Sequence, residues 1–184
     1  MRYLFCILCF VILSCNPNKD IQLPENFKKV IAQKPFTLVI SYSTECPVCV
    51  LYTSVLSDIT RGLPTDSFQT IFLKVNSDET WDFLDTSNLV QHQKPKVIEH
   101  QSLEIAKSLS IEIFPEVVVL DDQGKIYYKG AIDSRVKEIG NTHFRPAKSE
   151  EYLKMALMQI QKHEPVSIQN HPAKGCYIEF SKKP

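Results

Sequence analysis

The sequence predicts a single α/β domain built on a mixed central sheet flanked by helices. Three observations predict it: a β-α-β order followed by α-β-β-α, a nearly continuous apolar first strand, and an Asp-x-x-Gly turn between two β-rich runs. A chain of 184 residues with 43% hydrophobic content can fill one core. Its 21 basic and 21 acidic residues give a formal net charge of zero. That balance argues against a nucleic-acid groove or a polybasic membrane patch as the main function, so no nucleic-acid partner is expected.

The N-terminal segment has the pattern of an export signal. Arg2 supplies a positive start and Tyr3 to Leu13 is a continuous apolar run, much shorter than the ~20 residues a membrane-spanning helix needs. It ends in Ser14-Cys15, followed by the polar stretch Asn16 to Asp20. A small residue and then cysteine resembles the bacterial lipoprotein processing site. That resemblance implies a signal peptide over 1–14 and lipidation of Cys15. The chain would then be anchored on the periplasmic side of a bacterial membrane, with secretion into the periplasm as the alternative. Residues 15–34 would form a tether and N-terminal extension. Cys6 and Cys9 would leave with the signal. Export also places the remaining cysteines where disulfides persist.

Phe36 to Tyr42 is apolar and β-branched, as suits a strand covered on both faces. From Val48 to Ile59, the residues Leu51, Val55, Leu56 and Ile59 recur at helical spacing, and Arg61-Gly62-Leu63-Pro64 stops them. Phe68 to Val75 reads as a second strand. Between Asn76 and Val97 a helix lined by Trp81, Phe83, Leu84 and Leu89 is expected. A short helix follows over Ser102 to Leu109. Val117 to Leu120, the turn Asp121-Asp122-Gln123-Gly124 and Lys125 to Lys129 form a hairpin. The last helix spans Ser149 to Gln161, with Ser149 as N-cap and Tyr152, Leu153, Ala156, Leu157 and Ile160 as its core face. The domain thus spans 35–164. The remainder, 165–184, is proline-bearing, lacks a helical period and is expected to lie extended over the surface.

Cys46-Pro47-Val48-Cys49 falls at the junction between the first strand and its helix. A disulfide exchanger needs one ionised, accessible thiol and a second close enough to resolve the mixed disulfide. At a helix start, unpaired backbone N–H groups and the dipole favour a thiolate at Cys46. Pro47 suits the first helical position, where its missing N–H costs nothing. Cys49 lies one turn inward, so Cys46 is the expected nucleophile and Cys49 the resolver. A purely structural disulfide would close too small a loop to stabilise much. A zinc site needs about four ligands, and the sequence has no second Cys-x-x-Cys. No cofactor is implied.

The run from Phe114-Pro115-Glu116 through the apolar strand, Asp121-Asp122-Gln123-Gly124-Lys125 and Gly130-Ala131-Ile132-Asp133-Ser134-Arg135 is similar to a pattern in exported bacterial redoxins, as is the terminal Gly175-Cys176-Tyr177-Ile178. From about Phe36 to Phe180 the chain resembles the thioredoxin-like redoxin superfamily, alongside alkyl hydroperoxide reductase and thiol-specific antioxidant proteins. The resemblance implies a thioredoxin-like fold, a cis peptide at Pro115 packed against the cysteine pair, and a thiol-based activity. Two departures qualify it. Peroxiredoxins carry Pro-x-x-x-Thr/Ser-x-x-Cys, and here Ser43 fills the hydroxyl position while Val39 stands in place of proline. Thioredoxins keep a buried acid six residues before the nucleophile, where this chain has Ile40. Glu45 is then a proton carrier by proximity only, and a solvated turn carboxylate is its plainer role.

The expected activity is an extracytoplasmic thiol–disulfide oxidoreductase that reduces protein disulfides. Its partners would be protein thiols and disulfides together with a membrane-bound or soluble redox partner. A thiol peroxidase of the peroxiredoxin type and a copper-binding thioredoxin-like chaperone are the alternatives. Cys176 stays open among three roles: a third redox thiol, an intermolecular bridge, or a small residue pinning the tail. His171, five residues earlier, raises a metal site. All five histidines (His92, His100, His143, His163 and His171) sit among polar residues, as surface side chains do.

Overall fold

The computed structural model describes residues 21–76, 96–136 and 149–180. The signal segment with Cys6, Cys9 and Cys15 lies outside them. So do the helix expected around Trp81 to Leu89, His92 and His143. Helix α1 (Glu25–Ile31) leads into strand β1 (Phe36–Tyr42), helix α2 (Pro47–Arg61) and strand β2 (Phe68–Lys74). Then come β3 (Lys96–Ile98), α3 (Ser102–Ser108), β4 (Ile113–Phe114), β5 (Glu116–Asp121) and β6 (Ile126–Gly130). Helix α4 (Tyr152–Gln161) and the short strands β7 (Asn170–His171) and β8 (Cys176–Tyr177) complete the chain. No helix among the described residues is long and apolar enough to cross a membrane.

Six strands form one mixed sheet in the order β3-β2-β1-β5-β6-β7, and β4 pairs with β8 in a separate two-stranded ladder. β1 runs parallel to β2 and antiparallel to β5, so the apolar run Phe36 to Tyr42 occupies the centre. Leu38, Val39 and Ile40 are fully buried, as are Val117 to Leu120 opposite them. Burying a side chain of this size contributes about 1.5–3 kcal/mol, which is why the continuous apolar runs settle inside. The hairpin forms as expected: the Asp121 carboxylate accepts from the Gln123 and Lys125 N–H groups, and Gly124 takes the positive φ of 86° that the turn requires.

Several expectations shift in detail. Residues from Leu23 onward belong to the domain rather than to a tether, since Leu23, Phe27 and Ile31 are buried in the main core. The buried face of α2 is Val48, Cys49, Tyr52, Leu56, Ser57 and Thr60, while Leu51 points outward at 39% exposure. The expected apolar stripe was therefore rotated, because polar and thiol side chains fill part of the buried face. Helix α4 buries the five residues expected of it but starts at Tyr152, with Glu151 at the cap position and no side-chain cap bond. Ser149 instead takes a 3.4 Å bond from the Arg135 Nε–H.

The tail from Pro165 is extended, yet it is not a surface wrapping. Val166 and Ile178 are buried, β7 forms one edge of the main sheet, and β8 pairs with β4. Gly130 makes the β7 edge possible: a Cβ there would lie 1.8 Å from the His171 carbonyl oxygen, and its φ is 133°. One buried polar cluster knits the other side together. The Gln69 amide donates to the Val30 carbonyl and to Thr37 Oγ1, and its oxygen accepts from Lys96 at 2.9 Å. That joins α1, β1, β2 and β3 through a fully satisfied side chain.

Candidate active site

The site forms where β1 ends and α2 begins. Cys46 is the residue capping α2, in an extended conformation with φ −85° and ψ 113°, and Pro47 follows within the first helical turn. The Cys46 N–H donates to the Ser43 carbonyl at 3.3 Å, and its own carbonyl accepts the first helical bond from the Val50 N–H. Cys49 lies one turn further on, fully buried, and its Sγ accepts from the Ser43 N–H at 3.4 Å. Ser43 is thereby committed to the turn, with its Oγ accepting from the Glu45 N–H at 3.3 Å. Glu45 itself is exposed, as a solvated turn carboxylate should be.

The second wall is the loop between β4 and β5, where the Phe114–Pro115 peptide is cis. Cys46 Sγ lies 3.4 Å from the Phe114 carbonyl oxygen, a position where a reduced thiol donates a hydrogen bond. The loop is clamped from behind by Ser41. Its hydroxyl donates to the Ile113 carbonyl at 2.6 Å and accepts from the Glu116 N–H at 2.9 Å. Ser41 is a functional neighbour that sequence reasoning passed over. Its signal was a small hydroxyl side chain that interrupts an apolar strand just before the cysteine pair.

Cys176 is placed at the same point. It forms a disulfide with Cys46 across a sequence separation of 130 residues, while Cys49 stays outside that bond. Strand pairing sets Cys176 opposite Phe114 and Tyr177 opposite Ile113. Gly175 admits this approach, since a Cβ there would lie 1.7 Å from the Phe114 carbonyl oxygen. Cys46, expected to be the accessible thiol, is only 2% exposed. Cys176 thus joins Cys46 at the Phe114–Pro115 loop, with Cys49 one turn further along α2, a convergence the sequence left open.

A cavity of about 370 Å³ opens next to Pro115, lined by Tyr52, Asp133, Ser134, Tyr152, His171 and Lys174 among others. Within it the Tyr52 hydroxyl donates to Asp133, and Arg135 holds the other carboxylate oxygen at 2.8 Å. Burial, and then the Asp133 hydrogen bond, push the Tyr52 hydroxyl pKa far above its usual value, so it stays a donor. His171 stacks on Tyr152 with ring centroids 3.6 Å apart, which gives it a packing role at the β7 edge. His100 and His163 are exposed. Among the described residues no group of three or more histidine, cysteine or acidic side chains could hold a metal ion. Ile40 is buried in the sheet and carries no proton. Besides Asp133, Glu116 is a buried acid of this region, next to Pro115. Burial raises its pKa, against the opposing pull of Lys129 at 3.6 Å.

The family model of the thioredoxin-like domain matches residues 23–138. Among solved structures, a hypothetical protein from Sinorhizobium meliloti superposes with a TM-score of 0.66 at 19% identity, covering 84% of this chain and 85% of that one. An uncharacterized conserved protein from Geobacillus kaustophilus superposes with a TM-score of 0.59, also at 19% identity, covering 82% and 80%. Likeness at this identity shows the fold alone. No curated protein matches the sequence.

Proposed function

From the premise that the chain belongs to the thioredoxin-like domain family, we propose that it is an extracytoplasmic thiol–disulfide oxidoreductase that reduces protein disulfides through Cys46 and Cys49. Thioredoxin-like proteins act on protein thiols and disulfides. The observation that carries the reading is Cys46 at the start of α2, facing the Phe114–Pro115 loop, with Cys49 one turn inward.

In the proposed cycle the Cys46 thiolate attacks a client disulfide. A bond forms between Cys46 and one client sulfur, and the other client sulfur leaves as thiolate. The Cys49 thiolate, with the Ser43 N–H directed at its sulfur, then attacks Cys46 Sγ. The Cys46–Cys49 disulfide forms and the second client thiolate departs, so the client gains two electrons and the enzyme loses them. A dithiol partner restores the pair. Pro115 and Phe114 supply the backbone wall against which the client cysteine is held.

Export rests on the apolar run Tyr3 to Leu13, and membrane attachment on Ser14-Cys15. Labelling cells with a fatty acid should mark the protein, and Cys15→Ser should remove the label. An unlabelled wild-type chain recovered free in the periplasm would leave export without an anchor.

The activity is tested by trapping. In a Cys49→Ser, Cys176→Ser variant only Cys46 remains near the site, so mixed disulfides with client proteins should accumulate and release on reduction. A variant whose Cys46 still reacts with a maleimide but traps no protein in cells would sink the assignment of protein clients.

A further inference from the structure

The tail reproduces within one chain the contact that a client must make. To reach Cys46 Sγ, a partner sulfur must approach beside Phe114, because the opposite side is closed by α2 and by Cys49, which is fully buried. β8 takes that path. Cys176 is paired with Phe114, the Ile178 N–H donates to the Glu112 carbonyl at 2.9 Å, and the sulfur is bonded to Cys46. Gly175 allows the strand to come this close, and buried Ile178 anchors it beyond the cysteine. Next to the disulfide, Tyr177 is 74% exposed, and Cys176 itself is only half-buried. The outer end of the Cys46–Cys176 bond is therefore the end that solvent and a protein partner can meet. A Cys46–Cys49 bond would have no such end.

We propose that Cys176 is a third catalytic thiol, which carries the disulfide from the buried pair to an external protein dithiol. This inference rests on the reading of Cys46 and Cys49 given above. After a client has been reduced, the enzyme holds Cys46–Cys49. The Cys176 thiolate attacks Cys46 Sγ, the Cys46–Cys176 bond forms, and Cys49 leaves as thiolate. No electrons are exchanged with the outside in this step. The partner dithiol then attacks Cys176 Sγ through one thiolate and expels Cys46 as thiolate. Its second thiolate breaks the mixed disulfide and frees Cys176. The partner ends as a disulfide, the enzyme has gained two electrons, and the cycle closes. While Cys46–Cys176 stands, β8 occupies the edge of β4 and bars a client, so client capture and recharging cannot coincide.

The experiment uses the wild-type chain, prereduced and then oxidised by stoichiometric insulin, with acid quench, alkylation and peptide mapping over time. The proposal expects Cys46–Cys49 first and Cys46–Cys176 next, with Cys49 alkylated in the later species. Re-reduction by reduced thioredoxin, a protein-sized dithiol, should be slower in Cys176→Ser by about tenfold or more, since β8 still covers the Phe114 side of Cys46 while its own sulfur is gone. Cys176→Ala, a second removal of the thiol that leaves the Gly175 approach and the buried Ile178 in place, should show the same lag and so guards against a folding defect in the first variant. Re-reduction at the wild-type rate in both variants overturns the proposal. So does a map in which Cys176 is alkylated at every time point. If prereduced wild type fails to reduce insulin even once, the underlying oxidoreductase reading falls, an outcome distinct from loss of the relay alone.

Discussion

Phe114 and Cys176 face each other across an antiparallel pair of two-residue strands, which seats the Cys176 sulfur on Cys46 at the carbonyl of Phe114. The closeness of the two backbones has a specific requirement in Gly175. Any side chain there meets the Phe114 carbonyl at 1.7 Å, so Gly175→Ala should unseat β8. Amide exchange at Ile178, protected by the Glu112 carbonyl, reports on this directly. A docking loss of about 1.4 kcal/mol already accelerates that exchange tenfold. Unchanged Ile178 exchange in a reduced Gly175→Ala protein would mean that β8 does not pair with β4 in solution.

The Ser41 clamp leads to a second expectation. Ser41→Ala leaves the buried Glu116 N–H without its acceptor and the Ile113 carbonyl without its donor. An unsatisfied buried group costs about 1–3 kcal/mol, so the urea midpoint should fall accordingly. A midpoint equal to wild type would show that the loop carrying Pro115 is not held from β1.

Local patterns carried most of what the sequence revealed. The four-residue motif from Cys46 to Cys49, the Asp121 turn and the five-residue core face of α4 are all encoded within one or two turns of chain, and each lies where expected. The cis peptide at Pro115 came through family resemblance, not through any local rule. What escaped was encoded at long range. Cys176 meets Cys46 from 130 residues away, and nothing in its neighbours specifies which strand edge the tail will find. The rotated face of α2 escaped for another reason. Thr60 and Ser57 are buried there because Thr60 donates to the Leu56 carbonyl and Arg61 caps the Ser57 hydroxyl, contacts that hydrophobicity does not register.

Helix α1 was hidden because its only apolar residues, Phe27, Val30 and Ile31, sit in a polar run. Phe27 is nonetheless 1% exposed within the main core. Truncating a buried phenylalanine costs about 3–5 kcal/mol, so Phe27→Ala should destabilise the whole domain. The neighbouring exposed Asn26→Ala should change stability by no more than about 0.5 kcal/mol. Equal effects of the two substitutions in thermal unfolding would place α1 outside the cooperative unit.

Glu116 adds a pH dependence whose sign follows from its surroundings. Burial is the largest influence and raises its pKa, while Lys129 and the Glu112 N–H oppose this without overcoming it. A carboxyl whose pKa is higher folded than unfolded is held more readily in its protonated form by the folded state. Its contribution is then complete below the unfolded value near 4.5 and is lost as pH rises through the raised folded value. Glu116→Gln removes the titration while keeping the shape. The stability of wild type relative to Glu116→Gln should therefore be greatest at about pH 4 and decline toward neutrality, where ionised Glu116 sits poorly in its pocket. Urea unfolding of both proteins across that range measures the difference. A margin that grew with pH would mean that the attraction of Lys129 outweighs burial, and the assigned direction would be wrong.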